Sequence, residues 1–195
     1  NRGLHISIPE LDEEDIIITA KTIAESYNEE LISKFNDFFV NLGKTYYNYK
    51  QYLKEKHYLD GNEDFHGNRD YFHFIKYASK NISKNINTIT EKDLLLVGLK
   101  SIERNFAGLN LGKKDSVTIV KELFKDICKC NNLDIKEYDS IKNIKENKTE
   151  DNSRYLLLIS NSSESCYLLS SILEENYIFV IGSQFKEDFN SEEYQ

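Results

Sequence analysis

The segment Glu29–Lys56, E-E-L-I-S-K-F-N-D-F-F-V-N-L-G-K-T-Y-Y-N-Y-K-Q-Y-L-K-E-K, decides the fold class. Leu31, Phe35, Phe38, Phe39, Leu42, Tyr46, Tyr49 and Leu53 recur at three- and four-residue spacing, which gathers them along one side of an α-helix. A long amphipathic helix needs partners for that stripe, so the spacing predicts a helical bundle. The phenylalanines and tyrosines stand at core spacing, which favours packing over a stacking platform for bases. Gly43, inside the stripe, marks a place where another element comes close.

Working outward, Leu4, Ile6 and Ile8 alternate with polar residues and predict a short strand ended by Pro9. Asp12, with Asp15 three residues on, predicts an N-cap and a helix whose apolar face is Ile16, Ile17, Ala20, Ile23, Ala24 and Tyr27. Leu59–Gly67 reads as a polar loop, followed by a helix from Arg69 to about Lys80 on Tyr71, Phe72, Phe74, Ile75 and Ala78. Thr90 and Asp93 form a capping-box variant that opens a helix Glu91–Phe106, built on Leu94, Leu95, Val97, Leu99 and Ile102. A last helix, Asp115–Cys130, uses Val117, Val120, Leu123, Phe124 and Ile127. The charged, asparagine-rich run Ile141–Ser153 reads as a linker. Beyond it, the apolar runs Tyr155–Ile159 and Tyr177–Ile181 flank a helical stretch, the pattern of a βαβ unit. The fold class expected is mainly α: a helical bundle preceded by one short strand and followed by a small α/β unit.

The chain has 195 residues, 39% hydrophobic, which is enough apolar material for one sizeable core or two small ones. It contains no methionine, and so reads as an excised piece of a longer protein. No run of about 18 apolar residues and no charged-then-apolar leader is present, so the expectation is a soluble, cytoplasmic protein. Cys128, Cys130 and Cys166 have neither a disulfide framework nor a second ligand pair for zinc, and read as ordinary reduced thiols. The net charge of -8 comes from interleaved lysines and acids, unlike the one-sided basic surplus of a nucleic-acid footprint. RNA binding through a lysine and tyrosine surface is the poorer reading for that reason.

Few residues carry a chemical signature. The run Gly108-Leu-Asn-Leu-Gly112-Lys113-Lys114 has too few residues between its glycines for a phosphate loop, and no strand before it, so it reads as a turn between helices. His57, His66 and His73 span a loop at spacings unlike a metal site and read as partly exposed histidines. The acids Glu13, Glu14 and Asp15 suit the first turn of a helix on electrostatic grounds alone. Two arginines remain. Arg2 precedes the first strand, and Arg69 stands in the first turn of a helix, where the dipole disfavours a cation. Arg69 should therefore meet an anion, either a nearby carboxylate such as Asp70 or Glu63, which is the simpler choice, or a phosphate.

Several phrases occur together in a recognisable order: Asn1-Arg2-Gly3, Phe65-His66-Gly67-Asn68-Arg69-Asp70-Tyr71 with Ile75-Lys76, Arg104-Asn105-Phe106-Ala107-Gly108, Ser153-Arg154-Tyr155-Leu156-Leu157, and Ile181-Gly182-Ser183-Gln184-Phe185. Through them the chain resembles the mysterin-like giant AAA+ ATPases that are also RING-type ubiquitin ligases, over the stretch joining two ATPase modules. The resemblance implies that residues 1–140 are the last core strand and C-terminal helical lid of one AAA+ module. Residues 141–153 would be a linker, and residues 154–195 the start of the next module.

On the same resemblance, Arg69 matches a sensor-2 arginine that contacts ATP phosphate in its own module, with Gly67 beside it. Arg2 matches an arginine finger acting in trans on the neighbouring module. ATP and Mg would be bound mainly by residues outside this chain. The implied partners are neighbouring AAA+ modules of the same polypeptide and, through the parent protein, the ubiquitin machinery. The parent would be an ATP hydrolase and ubiquitin transferase, and this piece alone inactive. Where the lid phrase is expected to carry an apolar residue between glycine and arginine, this sequence has Asn68. The rival expectation, from another class, is a non-catalytic helical interaction module that binds a partner helix through its aromatic surface.

Overall fold

Polar side chains that close on backbone N–H groups set where the helices begin. In the computed structural model, which describes residues 10–56, 65–130 and 144–145, Asp12 and Asp15 form a reciprocal capping box and start α1, Glu13–Tyr27. Asn28 then serves two helices. Its N–H bonds to the Ala24 carbonyl and ends α1, while its side-chain Oδ1 accepts the Glu30 N–H at 2.9 Å and starts α2, Glu30–Glu55. Gly67 caps α3, Asn68–Ser83; Thr90 caps α4, Glu91–Asn105; Asp115 caps α5, Ser116–Cys128. Each of these caps satisfies donors that a helix start otherwise leaves open.

The described residues are therefore mainly helical, as the periodicity predicts. The predicted strand Leu4–Ile8 and the βαβ stretch from residue 154 lie outside the described residues, as does the Ile141–Ser153 linker apart from residues 144–145, which are helical. The chain divides into two compact units, Asn1–Ile135 and Lys136–Gln195, of which the first contains the five helices named among the described residues.

The α2 helix is the spine of the bundle: α1 packs along it most extensively, with α5 and α3 also against it, while α3 packs on α1 and α4. Its stripe Leu31, Phe38, Phe39, Leu42, Tyr46, Tyr49 and Leu53 is buried as the spacing predicts. Phe35 is only half-buried, because the backbone leaves helical values there (φ -133°, ψ 30°) and the helix kinks. Gly43 does mark a close approach: a Cβ there would stand 3.2 Å from Ile17 Cγ1 and 3.3 Å from its Cα.

Elsewhere the apolar faces need small corrections. Tyr27 and Phe72 were expected to be inward but are 39% and 36% exposed. Phe72 follows Tyr71 by a single helical step of about 100°, which carries it off the buried stripe of Tyr71, Phe74, Ile75, Ala78 and Ile82. Tyr27 is the last residue of α1, where the chain turns away at Asn28. Leu94, Leu95 and Val97 are half-buried, and Leu99 and Ile102 carry the burial of α4. Predicted limits also shift: α3 starts at Asn68 and runs on to Ser83, Phe106 caps α4 rather than ending it, and α5 starts at Ser116 and stops at Cys128 because Lys129 is left-handed (φ 53°).

The contact between α4 and α5 is set by one small residue. A Cβ on Gly98 would lie 2.5 Å from Cζ of Phe124, a ring with no solvent exposure and so no room to retreat. Gly98→Ala gains about 1 kcal/mol of helix propensity but forces overpacking that costs about 1–3 kcal/mol. The expected net result is a lower urea midpoint by circular dichroism. An unchanged or raised midpoint would show that the two helices separate freely.

Candidate functional site

The two central phrases that carry the family resemblance, Phe65–Tyr71 and Arg104–Gly108, come together in space. The meeting point is His66. Its Nε2 lies 3.2 Å from the Ala107 carbonyl oxygen and its Nδ1 lies 2.8 Å from Tyr49 Oη. Its own carbonyl accepts the Tyr46 hydroxyl at 3.2 Å. A carbonyl can only accept, so Nε2 carries the proton toward Ala107, and Nδ1 is left to accept from Tyr49. One imidazole thus ties the lead-in to α3 both to α2 and to the chain just after α4.

Sequence reading made His66 a partly exposed histidine; it is 3% exposed. The reason is the ring assembled around it. Phe106 stands edge-to-face with His66 (5.4 Å), Tyr49 (5.7 Å) and Phe74 (5.2 Å), and Phe65 meets His66 at 4.8 Å. Burial pulls the imidazole pKa below its ordinary 6.5, and Lys50 adds to that, while the Ala107 carbonyl and Asp70 oppose it. Tyr71 stacks on Tyr46 with ring centroids 4.4 Å apart and donates to the Ile16 carbonyl at 2.6 Å, which fixes α3 to α1. The buried phenols of Tyr49 and Tyr71 are pushed well above the usual tyrosine range by desolvation.

Gly108 closes this junction. Its φ of 99° is a region that L side chains rarely adopt, and a Cβ there would stand 3.3 Å from Phe65 Cζ. The following turn is closed by an Asn110–Asp115 bridge and by Gly112, at φ 85°, as its reading as a turn predicts. Asp115 accepts the Thr118 N–H at 2.7 Å, so a carboxylate already occupies the first turn of α5. Ser116 donates to the Phe106 carbonyl at 2.6 Å and holds the turn to the aromatic junction.

Arg69 lies three residues beyond His66 in the first turn of α3, exposed, with no ion pair among the described residues. Asp70, one of its two expected carboxylate partners, instead accepts the Gly67 N–H at 3.1 Å. Glu63, the other, lies outside the described residues, as does Arg2. Gly67 is the N-cap residue, and its carbonyl accepts from both Asp70 N and Tyr71 N. Its φ of -84° is ordinary, so its placement here does not depend on a conformation reserved for glycine. Asn68 is exposed at the first helical position, where a polar side chain is well solvated. On α4, Arg104 lies over the Tyr77 ring, 5.1 Å from its centroid.

The remaining candidates are plainer. His73 is exposed on α3, and His57 lies outside the described residues. Among the described residues no group of three or more His, Cys, Asp or Glu could hold a metal ion, and no helix is long and apolar enough to cross a membrane. Cys128 and Cys130 are free; burial, with Cys130 nearby, pushes the Cys128 thiol up to about 12 despite a hydrogen bond from Asn41. A thiol so held is a poor nucleophile.

Sequence reasoning missed the histidine and the hydroxyls, though a signal was present. Tyr46, Tyr49 and Tyr71 sit at core positions that Phe38, Phe39 and Phe74 also fill, and a buried phenol requires a polar partner. Comparison with family models, with curated proteins and with solved structures gives no match.

The carboxylate of Asp70 holds the first turn that carries Arg69. Asp70→Ala removes this cap and should lower stability by about 0.5–2 kcal/mol, with amide exchange accelerated at residues 67–71. Unchanged exchange there would mean that the aromatic junction alone holds the turn.

Proposed function

We propose that this chain supplies the helical lid of an AAA+ ATP-binding module in a mysterin-like ubiquitin ligase. The observation that carries the reading is Arg69: exposed, in the first turn of α3, with no ion pair among the described residues and its expected partner Asp70 committed to Gly67. A guanidinium at a helix N-terminus is repelled by the dipole of its own helix, so its position is best accounted for by an external anion. The planar fork of arginine suits phosphate oxygens bidentately. Two of the phrases on which the resemblance rests also meet at His66, which supports reading them as one structural unit.

In this reading Arg69 contacts the phosphate of ATP held in the same module, with Gly67 turning the chain into the lid helix. Arg2 reaches the site of the adjacent module and stabilises charge that develops in phosphoryl transfer. Among the described residues no carboxylate cluster is available for Mg; in this reading that ion and most contacts to ATP come from residues outside this chain. Bound ATP supplies the phosphoryl group; this chain's part is to orient it and screen its charge. Movement of the lid passes the nucleotide state through residues 141–153 to the module that begins near residue 154. Ubiquitin transfer belongs to other parts of the parent protein.

A second reading, a non-catalytic interaction module, is favoured by Phe65 and Phe72, which are 47% and 36% exposed on either side of Arg69 in sequence. Arg69→Ala in the full-length protein separates the two. The ATPase reading expects ATP turnover to fall about 10-fold or more, with the thermal midpoint unchanged because the side chain is exposed. Wild-type turnover in Arg69→Ala, with partner binding lost in Phe72→Ala, would replace it with the interaction module.

A further inference from the structure

The imidazole of His66 is a buried ionisable side chain at the junction of three segments, and its hydrogen bonds define one protonation state. We infer that His66 is a positioning residue that latches the start of α3 while neutral and releases it when protonated, making the presentation of Arg69 dependent on pH.

The argument begins with what each neighbour can accept. In the neutral form Nε2–H donates to Ala107 and Tyr49 Oη–H donates to Nδ1. A second proton on Nδ1 turns that last contact around: Nδ1–H would donate to Oη, and the phenol hydrogen would have to turn to Ser116, its other side-chain neighbour. Ser116 keeps its own hydrogen on the Phe106 carbonyl. Hydrogen bonding therefore tolerates the proton, and the obstacle is the charge.

Among the described residues the titratable and charged groups facing the ring are few. From α2 these are Tyr46 and Tyr49, whose hydroxyls are neutral, and Lys50, which repels. From α3 the group is Asp70, which attracts, but its carboxylate is engaged with Gly67. The segment after α4 presents the Phe106 ring and a carbonyl, and Phe65 covers the imidazole on its own strand of chain. A cation among these rings regains solvation most readily by leaving, and Phe65 beside it is already 47% exposed. Residues 65–67 leave with it, and the Gly67–Asp70 cap that anchors Arg69 goes too.

The direction follows from linkage. The folded-state pKa lies below the ordinary 6.5, so the unfolded or released form binds more protons. The latch is closed above the ordinary value and is lost as pH falls through the lowered folded value.

The test is NMR of the 195-residue chain without nucleotide, from about pH 7.5 to about pH 5, following the His66 ring and the backbone amides of residues 65–71 and 106–108. The expected result is a His66 midpoint below 6.5, with those amides shifting at the same midpoint while Ile75 and Val120 stay still. His66→Phe should make the amides insensitive to pH. If that variant does not fold, Tyr49→Phe serves, since removing Oη must move the His66 midpoint. A midpoint at or above 6.5, unmoved amides, or an unmoved midpoint in Tyr49→Phe would overturn the latch. Only the consequence for Arg69 rests on the ATP reading; with no nucleotide present, failure of that reading leaves this result standing, and the reverse also holds.

Discussion

The rest of the described structure depends on a single buried polar contact set: the His66 ring held between Tyr49 Oη and the Ala107 carbonyl, with Phe106 against it. A buried imidazole with either nitrogen unsatisfied would cost stability, so the three segments must meet in one register or not at all. That requirement sets where α3 begins relative to α2 and where the chain goes after α4. Hydrophobic burial alone would tolerate sliding of a helix along the α2 stripe; these directional bonds do not.

Around that contact the packing divides into two kinds. Some apolar surfaces close by shape, as where Gly43 admits Ile17 and Gly98 admits Phe124. Elsewhere, aromatic rings carry hydroxyls as well as area: Tyr71 both stacks on Tyr46 and bonds to the Ile16 carbonyl, and Ser101 Oγ donates to the Phe74 carbonyl at 2.7 Å. Two of the buried bonds, Tyr46 to the His66 carbonyl and Tyr71 to the Ile16 carbonyl, tie down the start of α3. Arg69 stands on a foundation of fixed geometry, as the proposed phosphate contact would require. Exposed as it is, it owes its placement to its neighbours and contributes little to the fold.

The sequence made the helices legible because their causes are local. Asp12, Thr90 and Asp115 cap by contacts three residues away, and the Leu31–Leu53 stripe repeats within one helix. The kink at Phe35 has no signal in the local pattern, whereas the outward turn of Phe72 follows from the single helical step that separates it from Tyr71. The candidate site was legible only in outline. Arg69 stood out because its charge opposes its helix, but the burial of His66 arises from residues 17 and 41 positions away, which no local pattern encodes.

The central physical claim is that the start of α3, unlike an ordinary helix end, is locked by this junction. Native-state hydrogen exchange at Tyr71, whose N–H bonds to the Gly67 carbonyl at 3.2 Å, tests it most directly. Above pH 6.5, the ordinary imidazole value, where His66 is neutral and the latch closed, the account predicts protection comparable to that of core amides such as Phe39, lost only with global unfolding. Exchange at the rate of a fraying helix end, while Phe39 stays protected, would contradict it.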